Sequence, residues 1–235
     1  MKALLFAAGK GTRLKPFTDH HPKALAKVNG ITLLQRNIQF LQNHGINDFV
    51  INIHHFGEQI VKFLATNSNF GANIEISDEK DQLLETGGGL LFARHFLENS
   101  GDFLIMNTDI LTDLNISEFV NYHTKNSNLV TLAVSERNSS RKLMFDEELT
   151  LKGWINISTG EERKVADDVY SQFAFSGIHC INPKLFDKMI RRGTFSIMEE
   201  YLDLMNVESI KGYVHTATLV DVGRPESVLE AENFF

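Results

Sequence analysis

The chain has 235 residues, a formal net charge of −7 and a hydrophobic content of 43%. This length suits one substantial domain, and the composition is ordinary for a globular protein. No apolar run approaches the roughly 20 residues of a membrane span, and a single cysteine, Cys180, excludes a disulfide framework and a multi-cysteine metal site. We therefore expect a cytoplasmic protein without a membrane segment.

The charge is unevenly distributed along the chain. Residues 1–27 contain six basic residues and one aspartate, a net charge of +5, so the remaining residues carry −12. A general nucleic-acid binder presents a broad basic face, whereas one basic segment in an acidic protein focuses positive potential on a small polyanion. The distribution argues against nucleic acid as a partner and favours a small, highly charged ligand.

A glycine loop follows the first apolar segment. Residues 2–7 predict a buried strand, and residues 7–14 read AAGKGTRL. Glycines let backbone N–H groups face a ligand, most often phosphate oxygens. A dinucleotide-binding fingerprint needs glycine where Leu14 stands, and a Walker loop needs four residues between its glycines, so neither fits. The loop therefore predicts a nucleoside triphosphate site, with a plain glycine turn as the alternative.

The hydrophobic pattern of the first half alternates between strands and helices. Apolar residues at helical spacing predict a helix over residues 31–41, which Gly45 is well placed to end. The further predicted strands are 48–53, 73–77 and 102–107, and the further predicted helices are 57–64 and 87–97. Such alternation implies right-handed crossovers and a mostly parallel sheet. This half, residues 1–135, is expected to bind the nucleotide.

From about residue 129 strands outnumber helices. The predicted strands are 129–135, 142–145, 150–157, 170–181, 209–214 and 218–222. Three helices are predicted: one that begins at residue 182, one over 196–204 and one over 225–234. No low-complexity linker separates residues 136–235 from the first half, so we expect a single domain. The expected fold class is α/β, with a Rossmann-like mixed, mostly parallel sheet flanked by helices.

Five motifs occur along the chain in a fixed order. They are the glycine loop with the following PKAL at residues 22–25, ETGGG at 85–89, NTD at 107–109, FSGI at 175–178 and VDVG at 220–223. Together they resemble the sugar-1-phosphate nucleotidyltransferases, and the resemblance covers essentially the whole chain. It implies the nucleotide-diphospho-sugar transferase fold and an Mg²⁺-dependent enzyme. Such an enzyme joins a nucleoside triphosphate to a sugar 1-phosphate, with no obligatory protein partner evident.

Two aspartates are candidate magnesium ligands. Asp109 follows the strand at 102–107 and Asp221 ends the strand at 218–222, and open α/β sheets place ligand crevices at such strand ends. Magnesium takes a few carboxylate oxygens and completes its coordination with water and phosphates. A helix cap at Asp109 and a solvated turn at Asp221 would explain the residues alone. The resemblance favours the magnesium site at the two aspartates. A zinc site is not expected, because the histidine pairs at 20–21 and 54–55 lack the spacing of zinc ligands.

The resemblance also implies roles for individual residues. Arg13 would bind the departing pyrophosphate through its planar fork of donors, and Lys23 would hold the attacking phosphate near the α-phosphate. The expected catalytic residues are Arg13, Lys23 and Asp109. The expected nucleotide-binding residues are Ala7, Ala8, Gly9, Gly11, Thr12, Arg13, Lys23, Asn52, Glu85, Thr86, Gly87 and Asp109. The expected sugar-binding residues are Asn107, Ser176 and Gly177, and the half covering about 136–235 is expected to bind the sugar.

Within this family the sequence most resembles the N-acetylmuramate-1-phosphate uridylyltransferases of cell-wall recycling, so UTP is the expected donor. GTP-dependent mannose-1-phosphate guanylyltransferase-like proteins are the runner-up. The Glu-Lys-Pro segment of many relatives is missing, and Trp154 lies in the corresponding region. A non-catalytic sugar-nucleotide sensor and a transferase acting on choline phosphate are the remaining alternatives. The presence of Arg13, Lys23 and both aspartates argues against the sensor.

Overall fold

The structure, a computed structural model, describes residues 1–80, 82–166, 168 and 170–235. The strands are β1 Lys2–Phe6, β2 Lys27–Val28, β3 Ile31–Thr32, β4 Asp48–Ile53, β5 Asn73–Asp78, β6 Phe103–Asn107, β7 Ile110–Thr112, β8 Val130–Ser135, β9 Arg141–Phe145, β10 Leu151–Asn156, β11 Glu161–Lys164, β12 Ser171–Ile181, β13 Ile210–Val214 and β14 Leu219–Asp221. The helices are α1 Leu33–Asn43, α2 Gly57–Thr66, α3 Glu85–Phe92, α4 Arg94–Leu97, α5 Ile116–Lys125, α6 Leu185–Lys188, α7 Ile197–Leu204 and α8 Pro225–Glu232. Within the described ranges, none of these helices has the length and apolar character needed to cross a bilayer.

One mixed sheet organises the molecule. Over the residues that the structure describes, ten strands join it in the order β11-β10-β9-β12-β6-β1-β4-β5, with β8 beside β12 and β13 beside β8. Strands β5, β4, β1 and β6 run parallel, because helical crossovers return the chain to the same edge. Beyond β6 the long strand β12 pairs antiparallel with β6, β8 and β9. The predicted fold class, a mixed α/β sheet flanked by helices, is confirmed.

Both faces of the parallel strands are buried. Leu4 belongs to one apolar cluster and Leu5 to another, because successive side chains of a strand point to opposite faces. Each of these leucines is fully buried, and burying such a side chain stabilises the fold by about 1.5–3 kcal/mol. The carboxyl ends of β1, β4 and β6 are therefore held rigidly at one edge of the sheet.

Several elements differ from the sequence-based prediction. The helix expected at 87–97 is divided into α3 and α4, and the helix expected from residue 182 is the single turn α6. Helix α5 was not predicted, although Asn115 caps it by accepting a hydrogen bond from the Glu118 backbone N–H at 3.2 Å. Strand β11 was also missed, because it is a charged, exposed edge strand without an apolar alternation.

Candidate active site

A cleft of about 360 Å³ opens at the carboxyl ends of β1, β4 and β6. Segments that follow these strands form its walls together with the start of α3. The lining residues are Phe6, Ala7, Ala8, Gly9, Lys23, Ala24, Asn52, Leu83, Glu85, Thr86, Asn107, Thr108, Asp109 and Ser196. The structure thus brings together nine of the residues that the sequence predicted for the site, at the edge where open α/β sheets bind ligands.

The glycine loop is packed against the segment that carries Lys23. Gly11 has a φ of +61°, and a Cβ there would lie 2.8 Å from Thr18 Cγ2 and 2.9 Å from Lys23 Cβ. The Thr18 hydroxyl donates to the Gly11 carbonyl at 2.9 Å. Gly11 is needed both for its backbone conformation and for this close approach, which fixes Lys23 beside the loop.

A buried polar network joins the end of β1 to the start of α3. Asn52, 2% exposed, accepts a hydrogen bond from the Ala7 N–H at 2.7 Å and donates to Glu79 at 2.8 Å. The other Glu79 oxygen accepts from the Leu84 N–H at 2.9 Å. Burial raises the pKa of Glu79, while its hydrogen bonds to Leu84 and Asn52 lower it. Asn52 therefore positions the glycine loop, and no motif drew attention to Glu79.

The two predicted metal ligands are neighbours. The Val222 N–H donates to the Asp109 carbonyl at 2.8 Å, and Asp221 pairs with Ile110 where β14 meets β7. Lys23 Nζ forms an ion pair with the Asp109 carboxylate. The pairing of β7 with β14 therefore brings together two carboxylates that are 112 positions apart in the sequence.

A second set of hydrogen bonds orients the turn that carries Asp109. The Thr108 hydroxyl donates to the Phe6 carbonyl at 2.6 Å. The Asn37 amide, buried in α1, donates to the Thr108 carbonyl at 2.8 Å. Asn37 was missed by the sequence reading because its partner is 71 residues away. These bonds limit the freedom of the Asp109 turn.

Charges of both signs surround Asp221. Partial burial, and then the charge of Asp109, raises the pKa of the Asp221 carboxyl, while Lys23, Arg13 and Arg137 lower it. Arg13 and Asp221 both lie beside Gly223, since a Cβ at that glycine would lie 2.9 Å from Asp221 Oδ1 and 3.0 Å from Arg13 Nη2. Asp221 still has a substantial solvent-exposed surface, and solvent screens these interactions.

The aspartate pair fits a hard divalent cation. Two like charges in proximity raise the cost of ionising Asp221, and a cation between the carboxylates would remove that cost. Across the described ranges, no group of three or more Asp, Glu, His or Cys side chains is arranged to hold a metal. A cation held by Asp109 and Asp221 would complete its coordination with water and phosphate oxygens, as magnesium does.

Several predicted residues lie outside the cleft lining. Gly87 is buried, donates its N–H to the Phe195 carbonyl at 2.9 Å, and a Cβ there would lie 2.3 Å from the Phe195 ring. The Ser176 hydroxyl is also buried and shares a hydrogen bond with His215 Nε2 at 2.9 Å. A Cβ at Gly177 would lie 3.1 Å from Asn107 Nδ2, so this glycine lies directly behind the cleft wall. Gly11, Thr12, Arg13 and Asp221 lie near the cleft but outside its lining.

A second cleft of about 520 Å³ adjoins the first at Ser196, which lines both. Strands β9, β10, β11 and β12 and helix α7 form its walls. Trp154 and Phe175 supply aromatic surface, and Arg141 and Arg191 supply positive charge. The two clefts together offer space for a ligand that extends from the glycine loop to the second half of the chain.

Fold and site together define an α/β protein whose ligand cleft lies beside a glycine loop and a carboxylate pair. The nucleotidyl transferase family model matches residues 2–235, so the chain belongs to the nucleotidyl transferase family. The predicted family and the prediction that the protein is an enzyme are confirmed.

Three known proteins illustrate the similarity. N-acetylmuramate alpha-1-phosphate uridylyltransferase of Neisseria meningitidis serogroup B is 29% identical over 234 residues, which cover 99% of this chain and 97% of that protein. Mannose-1-phosphate guanyltransferase of Yarrowia lipolytica is 26% identical, over 97% of this chain but 62% of that protein. The crystal structure of HddC from Yersinia pseudotuberculosis superposes with a TM-score of 0.82 at 19% identity, covering 99% of this chain and 98% of that one. This last likeness concerns the fold alone.

Proposed function

We propose that the protein transfers a uridylyl group from UTP to a sugar 1-phosphate and releases pyrophosphate. The observation that carries the proposal is the convergence of Lys23, Arg13 and two aspartates beside the glycine loop. The N-acetylmuramate-1-phosphate uridylyltransferase of Neisseria, which is similar over nearly its whole length, supports UTP and an amino-sugar phosphate as substrates. The same single-domain chain would bind the nucleotide with residues 1–135 and the sugar with residues 136–235.

The chemistry requires positioning more than proton transfer. The second pKa of a phosphate monoester is near 6, so the acceptor is largely a dianion at pH 7. Its oxygen attacks the α-phosphorus in line, the bond to the pyrophosphate oxygen breaks, and no general base is required. Lys23 would hold the attacking phosphate close to the α-phosphate, and Arg13 would neutralise charge on the leaving pyrophosphate.

Asp109 and Asp221 would hold magnesium. When bound, the ion supplies charge neutralisation and orientation of phosphate oxygens. Lys23 already pairs with Asp109, so its ammonium group stands where the phosphates must approach. Asn52 and Glu79 keep the loop at Ala7–Gly9 in place, while Glu85 and Thr86, which line the same cleft, would contact the nucleoside.

The acceptor sugar would occupy the space between the two clefts. Asn107 lines the first cleft, and Gly177 packs behind it. The buried Ser176 would act through the backbone of its segment, because its hydroxyl is bonded to His215. Trp154 and Phe175 provide apolar walls for a sugar ring. We expect this reaction in the cytoplasm, without an obligatory protein partner.

A substrate matrix tests the proposal. Pyrophosphate release is measured with UTP, dTTP, CTP, ATP and GTP, each against N-acetylmuramate, N-acetylglucosamine, glucose and mannose 1-phosphates and phosphocholine. We expect the highest kcat/KM with UTP and an amino-sugar 1-phosphate. The Asp109→Asn variant serves as the inactive control.

The other outcomes identify the alternatives. A preference for GTP with mannose 1-phosphate would replace the uridylyl assignment by the guanylyl one, and turnover of phosphocholine alone would remove the sugar. Tight binding of nucleotide-sugars without turnover by any pair would indicate a sensor and contradict the proposed reaction.

A further inference from the structure

Arg137, two residues beyond β8, has an incomplete set of partners. Its Nη2 donates to the Phe175 carbonyl at 2.8 Å, but its buried Nε–H has no hydrogen-bond partner. Across the described part of the chain, no ion pair joins its guanidinium to a carboxylate. Burial lowers the pKa of Arg137, and the charge of Asp221 raises it only in part. A partly buried cation left unsatisfied is costly, and such groups call for a functional explanation.

Arg137 lines neither cleft, but its contacts connect it to residues of the second cleft and its charge acts on Asp221. Its carbonyl accepts a hydrogen bond from Lys142 Nζ at 2.9 Å, and both Lys142 and its other partner, Phe175, line the second cleft. Its guanidinium is within electrostatic reach of Asp221, which adjoins Asp109. The charge of Arg137 therefore acts on Asp221 from the second half of the chain, whereas Lys23 pairs with Asp109 from the segment packed on the glycine loop.

The neighbouring histidine adds no second cation. His215 is 8% exposed, its Nε2 is bonded to Ser176, and its Nδ1 has no partner. Burial lowers the pKa of His215, Asp113 raises it and Arg137 lowers it further. The net shift is downward, so this imidazole is neutral at pH 7. Of these two neighbours, Arg137 is the one that carries a positive charge towards an incoming anion.

We propose that Arg137 binds the phosphate group of the acceptor substrate and presents it to the aspartate pair. The proposal rests on the proposed function, because it assigns a binding residue to the acceptor of that reaction. A planar guanidinium suits phosphate, since two of its N–H groups contact two oxygens at once. The donors left free by Phe175 supply such contacts, and the carbonyl of Phe175 fixes the direction of the fork.

The test separates acceptor binding from nucleotide binding. We expect Arg137→Gln to raise the KM for the best sugar 1-phosphate of the substrate matrix by about 10- to 100-fold, the factor for losing a charge-assisted hydrogen bond. The Kd for UTP, measured by titration calorimetry, should change by less than about twofold. Arg137→Lys keeps the charge but loses the fork, so its KM should fall between those of Arg137→Gln and the wild type.

Arg94→Gln is the matched control, because Arg94 forms surface ion pairs with Glu98 and Asp187 and should leave both constants unchanged. An unchanged acceptor KM in Arg137→Gln, or an equal loss of UTP and acceptor affinity, would overturn the proposal. Either result would indicate that Arg137 only stabilises β12 through its hydrogen bond to Phe175. If Arg137→Gln fails to fold, Arg137→Lys replaces it: a raised acceptor KM with an unchanged Kd for UTP supports the proposal, and an unchanged acceptor KM overturns it.

A separate measurement distinguishes failure of the proposed reaction from failure of the Arg137 assignment. Should the wild-type protein turn over no substrate pair, calorimetric titration with inorganic phosphate still reports on this site. Weaker phosphate binding by Arg137→Gln than by Arg94→Gln supports the assignment, and equal binding overturns it.

Discussion

Replacing Gly11 by alanine should disturb both the fold and the position of Lys23. The φ of +61° at Gly11 is strained for a residue with a side chain, and the added Cβ would meet Thr18 Cγ2 at 2.8 Å and Lys23 Cβ at 2.9 Å. Both contacts involve atoms close to the backbone or on a buried threonine, so the neighbours must move. The loop and the segment carrying Lys23 would then separate.

Two energy terms set the expected magnitude. A left-handed conformation costs a residue with a Cβ about 1–2 kcal/mol, and overpacking in a tight site costs typically about 1–3 kcal/mol. We therefore expect Gly11→Ala to lower the free energy of unfolding by about 2–5 kcal/mol. That loss is a large part of the roughly 5–15 kcal/mol that stabilises a typical protein.

Two glycines provide matched controls. Gly45 also has a positive φ, +80°, but a Cβ there meets nothing within 4 Å, so Gly45→Ala isolates the conformational term of about 1–2 kcal/mol. Gly9 has neither a positive φ nor an atom within 4 Å of an added Cβ, and it lines the cleft. Gly9→Ala should therefore retain stability within about 0.5 kcal/mol while weakening UTP binding, because its methyl group stands where phosphate approaches.

Urea denaturation followed by far-UV circular dichroism measures the three stabilities, and pyrophosphate release measures activity. The reasoning predicts that Gly11→Ala is less stable than Gly45→Ala and that its kcat also falls. Equal losses of stability in these two variants would refute the claimed packing of the loop against Lys23.

The remaining predictions concern charge and pH. Lys23→Ala should reduce kcat by about 10²–10³-fold, the effect of losing one preorganised phosphate contact. The control Lys27→Ala, at an exposed position in β2, should keep kcat within about twofold of the wild type. A near-normal kcat in Lys23→Ala would remove Lys23 from the mechanism. Asp221→Asn should abolish magnesium-dependent turnover without changing the melting temperature, and full activity in this variant would contradict the two-aspartate site. Burial lowers the pKa of His179 from 6.5 to about 3. Between pH 6.5 and 3 the His179 imidazole is therefore protonated in the unfolded chain but neutral in the native state. The free energy of unfolding should fall by up to about 1.4 kcal/mol for each unit by which the pH is lowered from 6.5 towards 3. Urea midpoints across this range measure the slope, and a slope unchanged in His179→Gln would show that another group controls it.

Local patterns explain which parts of the structure were predictable. The strand at 48–53 and the glycine loop were predictable because their residues are contiguous and their patterns are periodic or motif-like. Strand β11 has neither property, since three of its four residues are exposed and the strand is placed by antiparallel pairing with β10. Helix α5 carried a readable signal, an asparagine cap with Ile116 and Phe119 at helical spacing, which the sequence reading passed over.

The supporting residues of the site could not be predicted, because their roles come from distant contacts. Glu79 meets Asn52 across 27 residues, and Arg137 meets Phe175 across 38 residues. The buried environment that gives each group its properties exists only in the folded sheet. Sequence motifs therefore pointed to residues that line the first cleft, while the structure revealed which distant contacts hold that cleft in place.

The transfer of the uridylyl group to the acceptor phosphate is tested most directly by isotope retention. The protein is incubated with UTP and a sugar 1-phosphate whose non-bridging phosphate oxygens are ¹⁸O, and both products are weighed by mass spectrometry. Attack by the acceptor phosphate on the α-phosphorus predicts that all the ¹⁸O remains in the nucleotide-sugar and none enters pyrophosphate. Appearance of ¹⁸O in pyrophosphate or in free phosphate, or absence of a nucleotide-sugar with every donor and acceptor, would contradict this account.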